Sequence, residues 1–438
     1  GYWGHLWAGS MVRIAELDTR NRRITTEQGT GYGFREGYPY YYFNLFEEID
    51  SPGEWYLDRK TGTLYIYPPK DARGAIVQFP VLDRPFVSMN DVSHVAVLGL
   101  TFELNRADAF VIDGGEHVLL GGCTLRQLGG NGVVVRGGKS HLVLGCDILT
   151  VGAGGLRVAG GDPKTLTPGG HVVENCRVYD FSRVDRVYAP AVHLDGVGNR
   201  IAHNLFHESP HHAMRVEGYD QTIEFNEVHS VVWESDDQAG IDIYGNAAYR
   251  GNVIRYNFWH HIGSGRNVAG QAGIRLDDFI SGTLMYGNVF YRAADGRFGG
   301  IQIHGGKDNI ADNNLFVDCR AAFSFSPWGE TRWKTSLKER GGPSGTVWRG
   351  IDVSRPPHAE RWPELLHLEE NPDRNFLLRN VAVNCGRFAL RERGVNEIFD
   401  AFLFDDTITF TGKDALDFTL PDDSPIYDRL GFRPIPFN

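Results

Sequence analysis

Two acidic pairs, Asp236-Asp237 and Asp277-Asp278, bracket a stretch dense in groups able to move protons or hold charge. Cleaving a glycosidic bond needs two carboxyl groups at one point, one protonated as acid and one ionised as base or nucleophile. Neighbouring carboxylates push their pKa values apart, which sets those roles. Around the pairs lie His193, Arg215, Glu217, Asp242, Tyr244, Arg275 and His304, with His211-His212, Trp233 and Trp259 in the intervening segments. A groove of this composition suits a glycan, since rings stack on the apolar faces of sugars while carboxylates and guanidiniums bind hydroxyls and acids.

The elements that must position these groups are visible as a repeat. One unit reads apolar–x–apolar–x–Gly: Phe110–Gly114, Val133–Gly137, Leu156–Gly160, Val192–Gly196, Met214–Gly218, Ile241–Gly245 and Ile301–Gly305, with Asp278 replacing the glycine in Ile274–Asp278. Phe323–Ser326 is a candidate ninth copy. A second unit, apolar–x–x–(Cys or Asn)–x–apolar, is centred on Cys123, Cys146, Cys176, Asn204, Asn226, Asn257, Asn288, Asn313 and Asn380. Its centres recur at roughly 22–31 residues, the signature of short strands stacked coil upon coil with insertions looping outward. The predicted fold is all-β, a right-handed parallel β-helix over residues 81–438. A small antiparallel β-domain over 1–80 is expected to cap one end of it. Tyr40–Phe43, Glu54–Leu57 and Thr63–Tyr67 are the strand candidates of that domain, divided by Pro/Gly-rich turns. Residues 327–375, with Trp328, Trp333, Trp348 and Trp362, read as a long excursion in which Arg361–Leu366 could form a short helix.

In the first repeat the apolar residues point inward and each x outward. Stacked, the x positions form two columns. One reads Val111, Val134, Arg157, His193, Arg215, Asp242, Arg275, Gln302, and the other Asp113, Arg136, Ala159, Asp195, Glu217, Tyr244, Asp277, His304. Asp237 with Asp277 is the favoured catalytic pair, with Asp236, Asp278 and Glu217 as close substitutes. Glu217, Asp242, Tyr244, Arg275, His304, Arg215, His193, His212 and Trp233 are expected to bind substrate. The structural alternative is that Arg215, Asp242 and Arg275 merely form a ladder of salt bridges. Asn side chains at one turn in successive coils would bond one another in a second, internal ladder. Cys123, Cys146 and Cys176 in that position read as small buried apolar groups.

Composition is consistent with this. Glycine is abundant (54) and methionine scarce (4), as suits strands and tight turns. A net charge of −11 without any basic run argues against a nucleic-acid partner. No apolar stretch reaches the length of a membrane-spanning helix, so no membrane insertion is expected. Five cysteines, with no CxxC and no Cys/His zinc spacing, give no reason to expect a metal or other cofactor.

Asn44–Pro69, Asp236–Gly240, Tyr249–Asn257 and Leu276–Gly282 resemble segments of bacterial β-helix carbohydrate-active enzymes, most nearly glycoside hydrolase family 141, which includes an α-L-fucosidase and a xylanase. The resemblance covers nearly the whole chain. It implies a hydrolase of plant or microbial poly- or oligosaccharides, secreted or periplasmic, with two catalytic aspartates on consecutive coils. Asp236 with Asp277 and Asp237 with Asp278 both fit that register, whereas Asp237 with Asp277 mixes the two. Chains of that family begin with β-helix coils ahead of the β-domain. A chain opening on Gly1-Tyr2-Trp3 is therefore expected to be truncated or processed. A polysaccharide lyase or uronate epimerase on the same fold would need instead an Arg, Lys, His or Tyr base and a cation, often Ca²⁺, to neutralise a uronate, roles that Arg215, Arg275, Tyr244 and His304 could fill. A non-catalytic glycan-binding β-helix is the third possibility.

Overall fold

The computed structural model describes residues 1–265, 268–340, 350–391 and 398–436. The chain forms two compact units, Gly1–Val81 and Leu82–Asn438. Trp348 lies outside the described residues.

The first unit is built of antiparallel hairpins: Tyr2–His5 with Ala8–Gly9, Ile14–Asp18 with Arg23–Thr26, and Trp55–Asp58 with Thr63–Ile66. The last is closed by the Asp58 carboxylate, which accepts the Lys60 N–H (2.9 Å) and the Thr61 hydroxyl (2.8 Å) across the turn. Tyr40–Phe43, read as a strand from its aromatic run, is irregular chain.

The second unit is a solenoid of parallel strands in two long sheets. One runs from Val87–Asn90 to Ala389–Arg391, and its register reproduces the first outward column: Val111 beside Val134, then Arg157, His193, Arg215, Asp242, Arg275 and Gln302. The alternating apolar residues fill a continuous core in which Ile241, Ile243, Ile274 and Leu276 are fully buried. The repeat glycine has a steric cause. Gly218 holds φ 100°, and a Cβ there would sit 1.9 Å from the Gly196 carbonyl of the coil below. Asp278, at the same point of its repeat, carries a side chain at φ 45° in the left-handed region.

The internal ladder runs Asn204, Asn226, Asn257, Asn288, Asn314, Asn380, each Oδ1 after the first accepting the backbone and amide N–H of the preceding rung at 2.9–3.1 Å. The fifth rung is therefore Asn314, not Asn313. Asn313 turns outward in the left-handed region (φ 60°) and pairs with the backbone of Arg433. Cys176 and Cys146 continue the column as buried free thiols, the Cys176 N–H bonding Asn204 Oδ1. A second ladder has no uniform residue type: His141, His171, Asn199, Gln221 and Asn252 each accept the backbone N–H of the preceding coil, and Asn309 and Asn375 resume it.

The excursion after Phe323–Ser326 begins with a helix, Gly329–Arg340, which the sequence reading did not foresee. It docks through Trp333 and Leu337 onto Phe279, Leu365 and Leu368. The expected short helix is a turn of α-helix, His358–Arg361, followed by a 3-10 turn, Pro363–His367.

Candidate active site

The polar groups of the middle coils converge on Arg275. Its strand, Gly270–Asp277, lies beside Gln238–Tyr244, placing Arg275 next to Asp242 and Asp277 next to Tyr244. The Arg275 guanidinium is buried (7% exposed), and one nitrogen, Nη2, lies 2.9 Å from Asp237 Oδ1 and 2.9 Å from Asp277 Oδ1. The two carboxylate oxygens are thus at most about 5.8 Å apart, twice the shared distance. Its Nη1 bonds the Asp237 carbonyl, and the Phe298 ring lies 5.6 Å away. Asp277 Oδ1 also accepts from His304 Nδ1 (2.8 Å) and from the Asp278 N–H (3.0 Å).

The environments of the two carboxyls differ in sign. Burial raises Asp237 above the ordinary aspartate value, and the Asp277 charge adds to this against the pull of Arg275. Burial would also raise Asp277, but Arg275 and the His304 bond outweigh it and hold that carboxyl below its ordinary value. Asp237 is the more open of the two, 31% exposed against 13%.

Asp236 has a different environment. Its carboxylate is 1% exposed and accepts the backbone N–H groups of Asp237 (2.9 Å), Val268 (3.1 Å), Ala269 (2.8 Å) and Gly270 (2.7 Å), plus Gln271 Nε2 (2.8 Å). It ties the next coil's loop in place, and its two oxygens are taken up by these five donors. Asp278 faces the helix of the excursion: its Oδ2 is 3.1 Å from Arg340 Nη1, its Oδ1 3.8 Å from Arg332 and 3.5 Å from His304.

A second cluster lies one coil away. Arg215 bridges Asp242 Oδ2 (2.9 Å) and Glu217 Oε1 (3.0 Å), with His193 3.7 Å from Glu217. Burial opposes ionisation of Glu217, yet the nearby His193 imidazole and the Arg215 guanidinium bring its pKa down to about 2. Asp242 departs from expectation. It occupies an outward position, but its side chain is 3% exposed, and burial raises it to about 6 despite Arg215 and Arg275. Two guanidiniums flank it, and Arg215 lies between the Tyr188 ring (5.9 Å) and the half-exposed Tyr244 ring (5.4 Å). His212 is a further correction: fully buried, it bonds Gln238 Oε1 (3.0 Å) and belongs to the interior instead of the outward face. Trp259 is likewise core, stacked on Phe290. Trp233 is exposed at 46%, with the Arg186 guanidinium 5.0 Å from its ring.

Tyr188, Trp328, Arg332 and Arg340 were missed. Tyr188 precedes its strand in an insertion and packs its ring at a tilt against His211 (4.8 Å), while burial and the Asp242 charge raise the pKa of its hydroxyl. Trp328 meets His304 (5.7 Å) and carries Arg332 over its face (3.8 Å). None belongs to a repeat unit, so no periodic signal marks them.

A family model described as a right handed beta helix region matches residues 190–335, the coils that hold this cluster. The solenoid is a right-handed β-helix. Among solved structures, one described as a glycoside hydrolase is similar at 17% identity with a TM-score of 0.50, covering 62% of this chain and 57% of its own. This chain thus spans little more than half of that protein. The catalytic unit of a GH87 α-1,3-glucanase from Streptomyces thermodiastaticus strain HF3-3 (12%, TM-score 0.40) covers 71% of this chain and 62% of its own. Pectate lyase Pel9A (11%, TM-score 0.43) covers 82% and 85%. At these identities the likeness is one of fold. No curated protein matches the sequence.

Proposed function

We propose that the chain is a glycoside hydrolase in which Asp237 is the general acid and Asp277 the base or nucleophile. The observation that carries this reading is the pair itself: two carboxyls share one buried guanidinium, and their surroundings push their pKa values apart. The raised carboxyl is also the more exposed one, as an acid must be to reach a glycosidic oxygen. Arg275 fixes both groups and resists deprotonation itself, since Asp277 and Asp237 outweigh its burial. Glu217, Arg215 and His193 would extend the binding face on one side, and Trp328, Arg332 and His304 on the other. In this reading Asp236 and Asp242 act from beneath, one holding a loop and the other anchoring Arg215.

The lyase alternative needs an uncommitted base and cation. Arg215 and Arg275 are both engaged by carboxylates, and burial pushes the Tyr188 and Tyr244 hydroxyls toward the neutral form. The resemblance to family 141 makes α-L-fucosides and xylans the first substrates to test, within a screen of plant and bacterial glycans with product analysis. Hydrolysis by the parent, lost in both Asp237→Asn and Asp277→Asn, is the expected result. Products absorbing near 235 nm, or full activity in both variants, would refute it.

A further inference from the structure

The face of the larger sheet carries a second cluster of chemistry-bearing residues that hydrolysis does not use. Strands Arg177–Tyr179, Leu205–Ser209, Glu227–Val231, Phe258–His260 and Val289–Tyr291 stack in register, bringing Tyr179, His207, His229, His260 and Tyr291 into one column. Their neighbours Val178, Phe206, Val228, Trp259 and Phe290 are core, so this column lies on the outer side. The imidazoles of His207, His229 and His260 stack at 4.9 and 4.6 Å.

Stacking accounts for the rings but not for the carboxylate that joins them. Glu227, two residues before His229 on the same outward face, brings Oε1 to 3.1 Å from His260 Nε2. Ligand atoms of Glu227, His229 and His260 all lie within 4.8 Å of one another. The other edge of each ring is already held: His229 Nδ1 lies 3.1 Å from Ser230 Oγ, and His260 Nδ1 lies 2.8 Å from His261 Nδ1. Metal-bound imidazoles are oriented in this manner, through a hydrogen bond at the nitrogen that does not ligate. The His260 side chain is 5% exposed and so preorganised, whereas Glu227 is 46% exposed and leaves the site open to solvent.

We propose that Glu227, His229 and His260 form a site for a divalent transition metal, zinc fitting best, that clips two adjacent coils together. Two imidazole nitrogens and one carboxylate oxygen are a ligand set that zinc accepts, with water completing a tetrahedron. Closing on an ion at about 2.1 Å asks the two stacked imidazoles to turn toward each other and the donors to approach by roughly an ångström, with the exposed Glu227 side chain rotating to follow. The groove offers a competing triad, Asp277, Asp278 and His304. There Arg275, Arg332 and Arg340 already neutralise the carboxylates and would repel a cation.

The test is calorimetric titration of the chelator-stripped full chain with zinc chloride, alongside thermal melting. One equivalent should bind, and saturating zinc should raise Tm by about 2–4 °C. Glu227→Gln and His229→Gln, both at partly exposed positions, should each weaken zinc binding about tenfold or more, while Asp277→Asn should bind as the parent does. Absence of stoichiometric binding would overturn the proposal. So would parent-like affinity in both Glu227→Gln and His229→Gln, or loss of binding in Asp277→Asn, which would place the ion in the groove.

Discussion

Replacing Asp277 by Asn removes a charge and almost nothing else. The Asn Oδ1 can still accept from Arg275, His304 and the Asp278 N–H, at 2.9, 2.8 and 3.0 Å in the parent. The lost Coulomb attraction to Arg275 is about 4 kcal/mol at an effective dielectric of 20. Two gains offset it. One carboxylate no longer has to be desolvated, and Asp237, relieved of its neighbour's charge, can ionise against Arg275 in its place. Net stability should therefore move by no more than about 1–2 kcal/mol, and the melting curve should stay cooperative. Activity should behave differently, falling by about a factor of a thousand as the base or nucleophile is lost. The residual rate carries the sharper signature. The Asp277 charge raises the Asp237 pKa, so its removal lets Arg275 pull Asp237 down. An acid must be protonated to work, so the alkaline limb of kcat/KM should shift to lower pH. The assay is kcat/KM against pH for parent and variant on a substrate the parent cleaves. Retention of more than about a tenth of parent activity, or an alkaline limb that moves upward, would refute the assignment of roles.

Asp236→Ala should be a stability variant: five N–H donors lose their acceptor, costing about 3–5 kcal/mol in urea unfolding, whereas Asp237→Asn should cost under about 1 kcal/mol. Asn257→Ala leaves the Asn226 backbone N–H and amide without their acceptor inside the solenoid, and about 3 kcal/mol should be lost on denaturation. Glu217 has a folded pKa near 2, below its unfolded value, so its contribution is complete above the unfolded pKa and lost as pH falls toward 2. Glu217→Gln should therefore flatten the stability profile between about pH 5 and pH 2, removing about 3 kcal/mol of acid dependence measured by melting at each pH. An unchanged acid slope would contradict the ion pairing with Arg215 and His193.

The solenoid was readable because its signal is local and repeated. Apolar–x–apolar–x–Gly follows from a pleat of period two ended by a turn that only glycine tolerates at Gly218, so the first outward column of side chains followed without tertiary information. The Asn ladder was readable for the same reason, and its one error, Asn313 for Asn314, came from two adjacent asparagines that only backbone geometry separates. The second ladder was not readable. A rung needs only an acceptor at the right height, and His, Asn and Gln all provide one.

Sequence by itself therefore determined the architecture, the coil on which each ionisable residue stands, and the neighbourhood where carboxylates gather. Tertiary structure decided which of them meet. Asp237 and Asp277 share Arg275 only because the loop entering one strand carries Asp237 to the guanidinium of the next coil. Asp236, its chain neighbour, is turned inward and consumed by backbone N–H groups. Period two marks Asp242 as outward, but outward is a direction and not an exposure. Flanking guanidiniums, one of them held between tyrosine rings, bury it, and that burial raises its pKa. Burial and pKa depend on everything within a few ångströms in space, including Arg340 and Tyr188 from distant insertions, and no pattern along the chain encodes that distance.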